Sequence, residues 1–263
     1  MRTLFLDATL QNEQRIPISK IQMISVNYIS HGVTVYPTDD DCLTLREYFN
    51  DEDPDLHAQI IKDEQNLSIR HGAQRLFGMT RGYIEIMLPN AFFGTLNMQT
   101  VSGKIDIHCK LSLDEFNASS TSGKITVEEV TTGSAVLSSV SGAVVIGMLR
   151  ANCNLRSTSG AIRVGCAAGG GVFKTVSGAI EADYETVLSD IRMHSTSGKI
   201  HLLMPAGHSF ALNARSVSGG IHTDFPVYLE NSEKHSLAGQ VGKAPGSRVD
   251  LSTVSGKIEI WKG

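Results

Sequence analysis

The sequence predicts an all-β protein whose C-terminal part is a single-stranded parallel β-helix, a β-solenoid with about twenty residues per coil. Three observations predict it. One tetrapeptide recurs along the chain, aliphatic residues alternate on both sides of it, and no helical stripe separates the copies.

The recurring words are TVSG, STSG and SVSG, with their glycines at Gly103, Gly123, Gly142, Gly160, Gly178, Gly198, Gly219 and Gly256. Successive spacings are 20, 19, 18, 18, 20, 21 and 37, so the last interval spans nearly two periods and holds a drifted coil or an insertion. Gly82 in TRGYIEI extends the series upstream.

After each glycine comes an alternating aliphatic pair, such as Ile105/Ile107, Ile125/Val127, Val144/Ile146, Ile162/Val164 and Ile258/Ile260. Before each Ser lies a second pair, such as Leu96/Met98, Phe116/Ala118, Ala135/Leu137, Cys153/Leu155 and Val249/Leu251. Each pair reads as a short half-buried strand. The inward parity slips between the two, so the chain bends at the Ser-Gly, where glycine tolerates positive φ and close backbone approach. Each repeat is thus two short strands, a fixed corner and a variable turn. With adjacent strands ~4.8 Å apart, about nine coils make a rod ~40 Å long, with aliphatic ladders and a Ser/Thr ladder. The preference for right-handed parallel crossovers favours a right hand. Pro89 and Pro205 stand equally far before their Ser and mark the turn after a strand, where no ladder donor is lost.

Residues 1–78 are expected to form a β-rich cap out of register with the coils, covering an end that would otherwise be an exposed sheet edge. Its strands centre on Ile24, Val26 and Tyr28, on Val33 and Val35, and on Leu43 and Leu45. AQIIKDEQNLSIR reads as a hairpin turning at Asp63–Asn66, and the acidic run Asp51 to Asp55 as a solvated loop. Residues 79–263 carry the repeats, with an elaborated loop over 224–247 and Trp261 closing the far end.

Composition narrows the function classes. A net charge of −4 and no Lys/Arg run argue against nucleic acid. Cys42, Cys109, Cys153 and Cys166 lack CxxC spacing and read as free thiols. The N-terminus MRTLFLDATLQNEQR has no apolar h-region, and no stretch suffices for a transmembrane helix, so the expectation is a cytoplasmic chain.

Stacked coils turn equivalent positions into columns. Three residues after each glycine the outward column reads Glu85, Asp106, Thr126, Val145, Arg163, Glu181, His201, His222 and Glu259. Glu181, His201 and His222, on consecutive coils, would suit a transition metal or a shared proton; the plainer alternative is a solvated polar ladder with an Arg163–Glu181 pair. Lys104, Lys124, Lys199 and Lys257 form a basic column with affinity for acidic glycans, or simply keep a strand soluble. Hydroxyl pairs such as Thr100/Ser102 and Thr253/Ser255 bond locally at the corner rather than presenting a flat ice- or polysaccharide-binding rank. No Ser lies in GxSxG. No residue is assigned a catalytic, cofactor or metal role, and no cofactor is expected.

IEIMLP followed by TVSGKIDI, STSGKITV, SVSGAVVI, STSGAIRV, TVSGAIEA, STSGKIHL, SVSGGIHT and TVSGKIEI resembles the bacterial putative-adhesin domains of unknown function, over roughly residues 80–263. The resemblance implies a parallel β-helix and a cell-envelope or adhesion role, and brings no catalytic residues. The expected function is a non-enzymatic structural or protein-interaction module, with a protein partner or a surface glycan. The alternatives are a carbohydrate-binding module or polysaccharide-acting enzyme, and a filament-forming cytoskeletal scaffold.

Overall fold

The computed structural model describes residues 7–73 and 81–263. The expected boundary at 78/79 lies outside the described residues, as do the first six residues of the chain. Strands begin with β1 (Thr9–Pro17), β2 (Met23–Asn27), β3 (Gly32–Thr38) and β4 (Cys42–Phe49), followed by β5 (Gln59–Lys62) and β6 (Asn66–Arg70). Next come β7 (Gly82–Pro89), β8 (Thr95–Thr100) and five long strands: β9 (Ile105–Ser120), β10 (Ile125–Ser139), β11 (Val144–Ser157), β12 (Ile162–Thr175) and β13 (Ile180–Ser195). The chain ends with β14 (Ile200–Met204), β15 (Phe210–Ser216), β16 (Ile221–Thr223), β17 (Val227–Glu233), β18 (Ser236–Val241), β19 (Ser247–Thr253) and β20 (Ile258–Lys262). A 3₁₀ turn at Pro54–Leu56 is the sole helical element among the described residues.

The architecture is almost all-β, largely parallel and repetitive. β9 to β13 pair with their sequence neighbours in parallel, like residue on like residue: Ile105, Ile125, Val144, Ile162 and Ile180 are successive partners. In β9 to β13 the variable turn is not a break in the strand, as the pattern suggested, whereas the strand does end at the turns marked by Pro89 and Pro205. The segment after one corner runs on into the segment before the next, and irregularities such as Thr131/Ser134 and Gly169/Gly171 absorb the length differences. Hydrogen bonds to a similar rung on each side hold the backbone extended through the bend. The buried columns trade volume within each rung: Phe116 with Ala118, Ala135 with Leu137, Gly171 with Phe173. That complementarity fills the interior with little aromatic content.

The corner is built from a hydroxyl and a glycine. In each word the buried hydroxyl is the residue two before the Ser-Gly serine, while that serine faces solvent: Ser120, Ser139, Ser157 and Thr175 are buried, and Ser122, Ser141, Ser159 and Ser177 are exposed. Ser139 Oγ accepts the Gly142 N–H at 2.9 Å and donates to the Gly123 carbonyl at 3.2 Å. Ser157 repeats this with Gly160 and Gly142, Thr175 with Gly178 and Gly160, and Ser195 with Gly198 and Gly178. Contrary to the expectation, no corner glycine has positive φ; among the described residues the glycines that do are Gly169, Gly171 and Gly242. Close approach alone demands glycine here, because a Cβ at Gly123 would fall on the Gly103 carbonyl oxygen, and one at Gly160 on that of Gly142.

Chain order and spatial order part company at both ends. β2 lies between β6 and β8, and β3 between β7 and β9, each pairing in parallel on both sides. The expectation that residues 1–78 lie out of register is therefore corrected for 23–38. Ile24, Val26, Val33 and Val35 occupy inward positions of the repeat, while Ser30-His31-Gly32 lacks the Ser-Gly word that reveals the other copies. Likewise β19 enters between β13 and β15, and β20 between β14 and β16. The glycine column accordingly runs Gly178, Gly198, Gly256, Gly219. The 37-residue interval contains the antiparallel hairpin β17–β18, whose β18 pairs with the free edge of β15. Trp261 lies on β20, inside the sheet, and does not close the end.

Hairpin β5–β6 forms as the sequence indicated, with Asp63 accepting the N–H groups of Gln65 and Asn66. The acidic run caps its own turn: the Asp53 carboxylate accepts the Asp55 N–H at 3.0 Å. Glu47 was not singled out, yet it is wholly buried. It accepts from Tyr28 Oη at 2.9 Å, Asn12 Nδ2 at 2.7 Å and the Ala58 N–H at 2.8 Å, tying β1, β4, the residue after β2 and the turn before β5 together. Burial and the adjacent carboxylate push the Tyr28 phenol well above its usual range.

Two outcomes are expected. Ser139→Ala leaves a buried donor and acceptor unpaired and should cost about 1–3 kcal/mol in denaturant unfolding, whereas Ser141→Ala in the same word should stay within about 0.5 kcal/mol. A chain ending at Gly246 should lose hydrogen-exchange protection across Ile191–Ser195 and Ile200–Met204, because it removes an inner rung; retained protection there would refute the intercalation.

Candidate functional site

The candidate polar column lies on the outer surface of the post-corner segments, where residues alternate outward between the buried isoleucines. Register places Arg163 beside Glu181, Glu181 beside His201, His201 beside Glu259, and Glu259 beside His222. His201 and His222 are therefore not on neighbouring strands as the chain order implied. The intercalated β20 inserts Glu259 between them, giving alternating carboxylates and imidazoles.

Charge pairing dominates this column. Lys199 Nζ and Lys257 Nζ, adjacent members of the predicted lysine column, each reach a different oxygen of Glu259 at 2.6 Å. His201 Nδ1 lies 3.6 Å from the same carboxylate, whose side chain is only 10% exposed. The two lysine hydrogen bonds hold the Glu259 carboxyl at about 2, against the cost of desolvation. His222 turns away to Asp224 at 3.1 Å, and its ring lies 5.0 Å from that of Trp261. Arg163 and Glu181 make the expected exposed pair at 2.9 Å, worth about 0–1 kcal/mol. A carboxylate clamped by two ammonium groups is a poor cation ligand and a poor base, so the arrangement locks strands together instead of presenting a reactive group.

The rest of the lysine column is also partly engaged. Lys104 pairs with Asp106, and between Lys124 and Lys199 the positions are Ala143, Ala161 and Ala179, so no continuous basic stripe forms. The four cysteines are free thiols. Burial pushes Cys109 up to about 11 and Cys153 up to about 12, which makes both unreactive. One cluster that the sequence reading missed brings ligand atoms of Asp40, Asp41 and Cys42 within 4.8 Å of one another. It sits in the exposed turn between β3 and β4, where Arg15 pairs with Asp40 and the Cys42 thiol donates to Asp41. Three adjacent polar residues in a turn were its only sequence signal.

The pre-corner segments present a second outer surface. At its N-terminal end is a shallow trough lined by side chains including Ser25, Asn27, Asn97, Gln99 and Asn117, with Asn117 Nδ2 donating to Asn97 Oδ1 at 2.9 Å. Among the described residues, no helix is long and apolar enough to cross a membrane.

Comparison with known proteins places these surfaces in context. The sequence matches the family described as Toastrack DUF4097 over residues 21–261. No curated protein matches it. Among solved structures, a putative adhesin from Bacteroides fragilis is 14% identical with a TM-score of 0.56, covering 97% of both chains, a likeness of fold. A putative cell adhesion protein from Clostridium sporogenes is 11% identical with a TM-score of 0.37, covering 97% of this chain and all of the other.

The Glu259 clamp has a pH signature. A carboxyl lowered on folding contributes stability that is present above its unfolded value and is lost as pH falls from the ordinary glutamate range toward about 2. Glu259→Gln should therefore be less stable than the parent at pH 7, and the gap should close between about pH 4.5 and pH 2. A gap independent of pH would refute the clamp.

Proposed function

Because the chain belongs to the Toastrack DUF4097 family, we propose that it is a non-enzymatic interaction module of adhesin type that works through the outer faces of its repeat and associates with the cell envelope. In this reading each repeat closes as one coil of a right-handed β-solenoid, with β1, β4 and the β5–β6 hairpin covering one end and the 224–247 segment elaborating the other. Support for closure comes from the long strands, whose post-corner and pre-corner halves pair with the same neighbours. Repeat proteins of this kind recognise partners along extended surfaces.

The observation that carries the proposal is the fate of the polar column. Its central carboxylate is clamped by Lys199 and Lys257, and its imidazoles are turned to Glu259 and Asp224, so the groups best suited to chemistry act in cross-strand cohesion. Head-to-tail filament growth is disfavoured by the antiparallel pairs β1–β4, β5–β6 and β17–β18, which break the parallel register at the ends.

The test is photo-crosslinking from probes on the two outer faces in the native host, with envelope and soluble fractions analysed separately. Crosslinks to a defined envelope component from one face are expected. Capture confined to soluble protein would remove the envelope role, and the absence of face-specific crosslinks would remove the interaction module.

A further inference from the structure

The two outer surfaces differ in how their charge is spent. On the post-corner surface most cations are paired. On the pre-corner surface the outward position just before each buried hydroxyl reads, in spatial order, Gln99, Ser119, Ser138, Arg156, Lys174, His194, Ser252 and Arg215. The first part is amide and hydroxyl; the second holds Arg156, Lys174 and Arg215, with His194 hydrogen-bonded to Ser252 between them. Arg156, Lys174, His194 and Arg215 are all exposed, and among the described residues Arg156, Lys174 and Arg215 make no ion pair with a carboxylate. Arg156 donates instead to Asn154. Acids do lie nearby, but they are engaged: Asp190 and Asp250 face Arg192, and Asp250 also accepts from Asn213.

This cationic strip stands on a protein of net charge −4. The intercalated β19 places Ser252 between His194 and Arg215, so the strip runs from Arg156 to Arg215 over five adjacent strands, about 19 Å. Arg156 and Lys174 stand one strand spacing of ~4.8 Å apart, and Arg215 lies three spacings beyond Lys174, with His194 and Ser252 between. The adjoining trough offers Asn97, Gln99 and Asn117, side-chain amides that both donate and accept hydrogen bonds.

We propose that this face binds a linear polyuronate lying across the strands, its carboxylates on Arg156, Lys174 and Arg215 and its sugar hydroxyls along the amide and hydroxyl positions. An extended polyuronate carries one carboxylate per sugar at a rise close to one strand spacing, so a stretch of about five sugars spans the strip and can bring acids to Arg156, Lys174 and Arg215 while the sugars between pass His194 and Ser252. Guanidinium groups pair with carboxylates in forked geometry, and Lys adds a point charge. The strip has no aromatic side chain on which bases would stack, which favours a polysaccharide over single-stranded nucleic acid. The inference rests on the interaction-module reading and names the ligand class of one of its faces.

Binding of the full chain to polygalacturonate, measured by titration calorimetry at low and moderate salt, tests it. The expected result is saturable binding that weakens with salt, no binding to neutral dextran, and a loss of about tenfold or more in the triple variant R156Q/K174Q/R215Q. Lys124→Gln, on the other surface, should bind as the parent does. Circular dichroism and unfolding midpoints would show that the triple variant is folded. The proposal is overturned if polygalacturonate fails to bind at low salt, if dextran binds equally, or if the triple variant binds unchanged. It is also overturned if duplex DNA or anionic vesicles compete on equal terms, since the face would then be a simple ion exchanger. A negative titration alongside face-specific crosslinks to an envelope protein would sink this inference while leaving the interaction-module reading standing.

Discussion

The corner hydrogen bond is the interaction on which the rest depends. A glycine N–H donates to a buried hydroxyl, and that hydroxyl donates to the glycine carbonyl of the neighbouring rung. This couples two constraints. The turn within a repeat and the spacing between repeats are set by the same oxygen atom. Glycine is required because the carbonyl it stacks on occupies the place a Cβ would take. Every rung must then present the corner at the same height, which brings the aliphatic ladders into line and allows a core of small columns instead of large aromatics.

A corner defined this way is indifferent to chain order. Any segment with inward aliphatics on both sides of a compatible corner can serve as a rung, and two segments do so out of sequence. The 23–38 segment enters near one end, with the His31 carbonyl stacked under Gly103, and the 247–262 segment enters near the other, with Gly256 between Gly198 and Gly219. Both insertions place late or early chain in the middle of a parallel sheet. Folding therefore has to leave room for them, which raises the contact order beyond that of a simple stack.

The same intercalation decides the electrostatics. On one outer surface β20 delivers Glu259 to Lys199 and His201, turning a column of reactive-looking side chains into a crosslink. On the other, β19 delivers Ser252 between His194 and Arg215, and among the described residues Arg156, Lys174 and Arg215 make no ion pair. One surface thus contributes cohesion and the other keeps free charge, although both come from the same repeat.

The sequence by itself determined the repeat, the inward aliphatic pairs, the bend at Ser-Gly and the Arg163–Glu181 pair, because these depend on local alternation and on a word copied nearly intact. The buried acid Glu47 was also legible in principle, since it shares inward parity with Leu43, Leu45 and Phe49. Tertiary structure alone decided which hydroxyl of each word is buried, that the corner glycines answer to close approach rather than positive φ, and which rungs are neighbours. It therefore also decided the true members of the polar column. The physical reason is that strand pairing is satisfied by any edge of matching register: a period in the sequence specifies what a rung looks like, and only the competition among edges specifies where it goes.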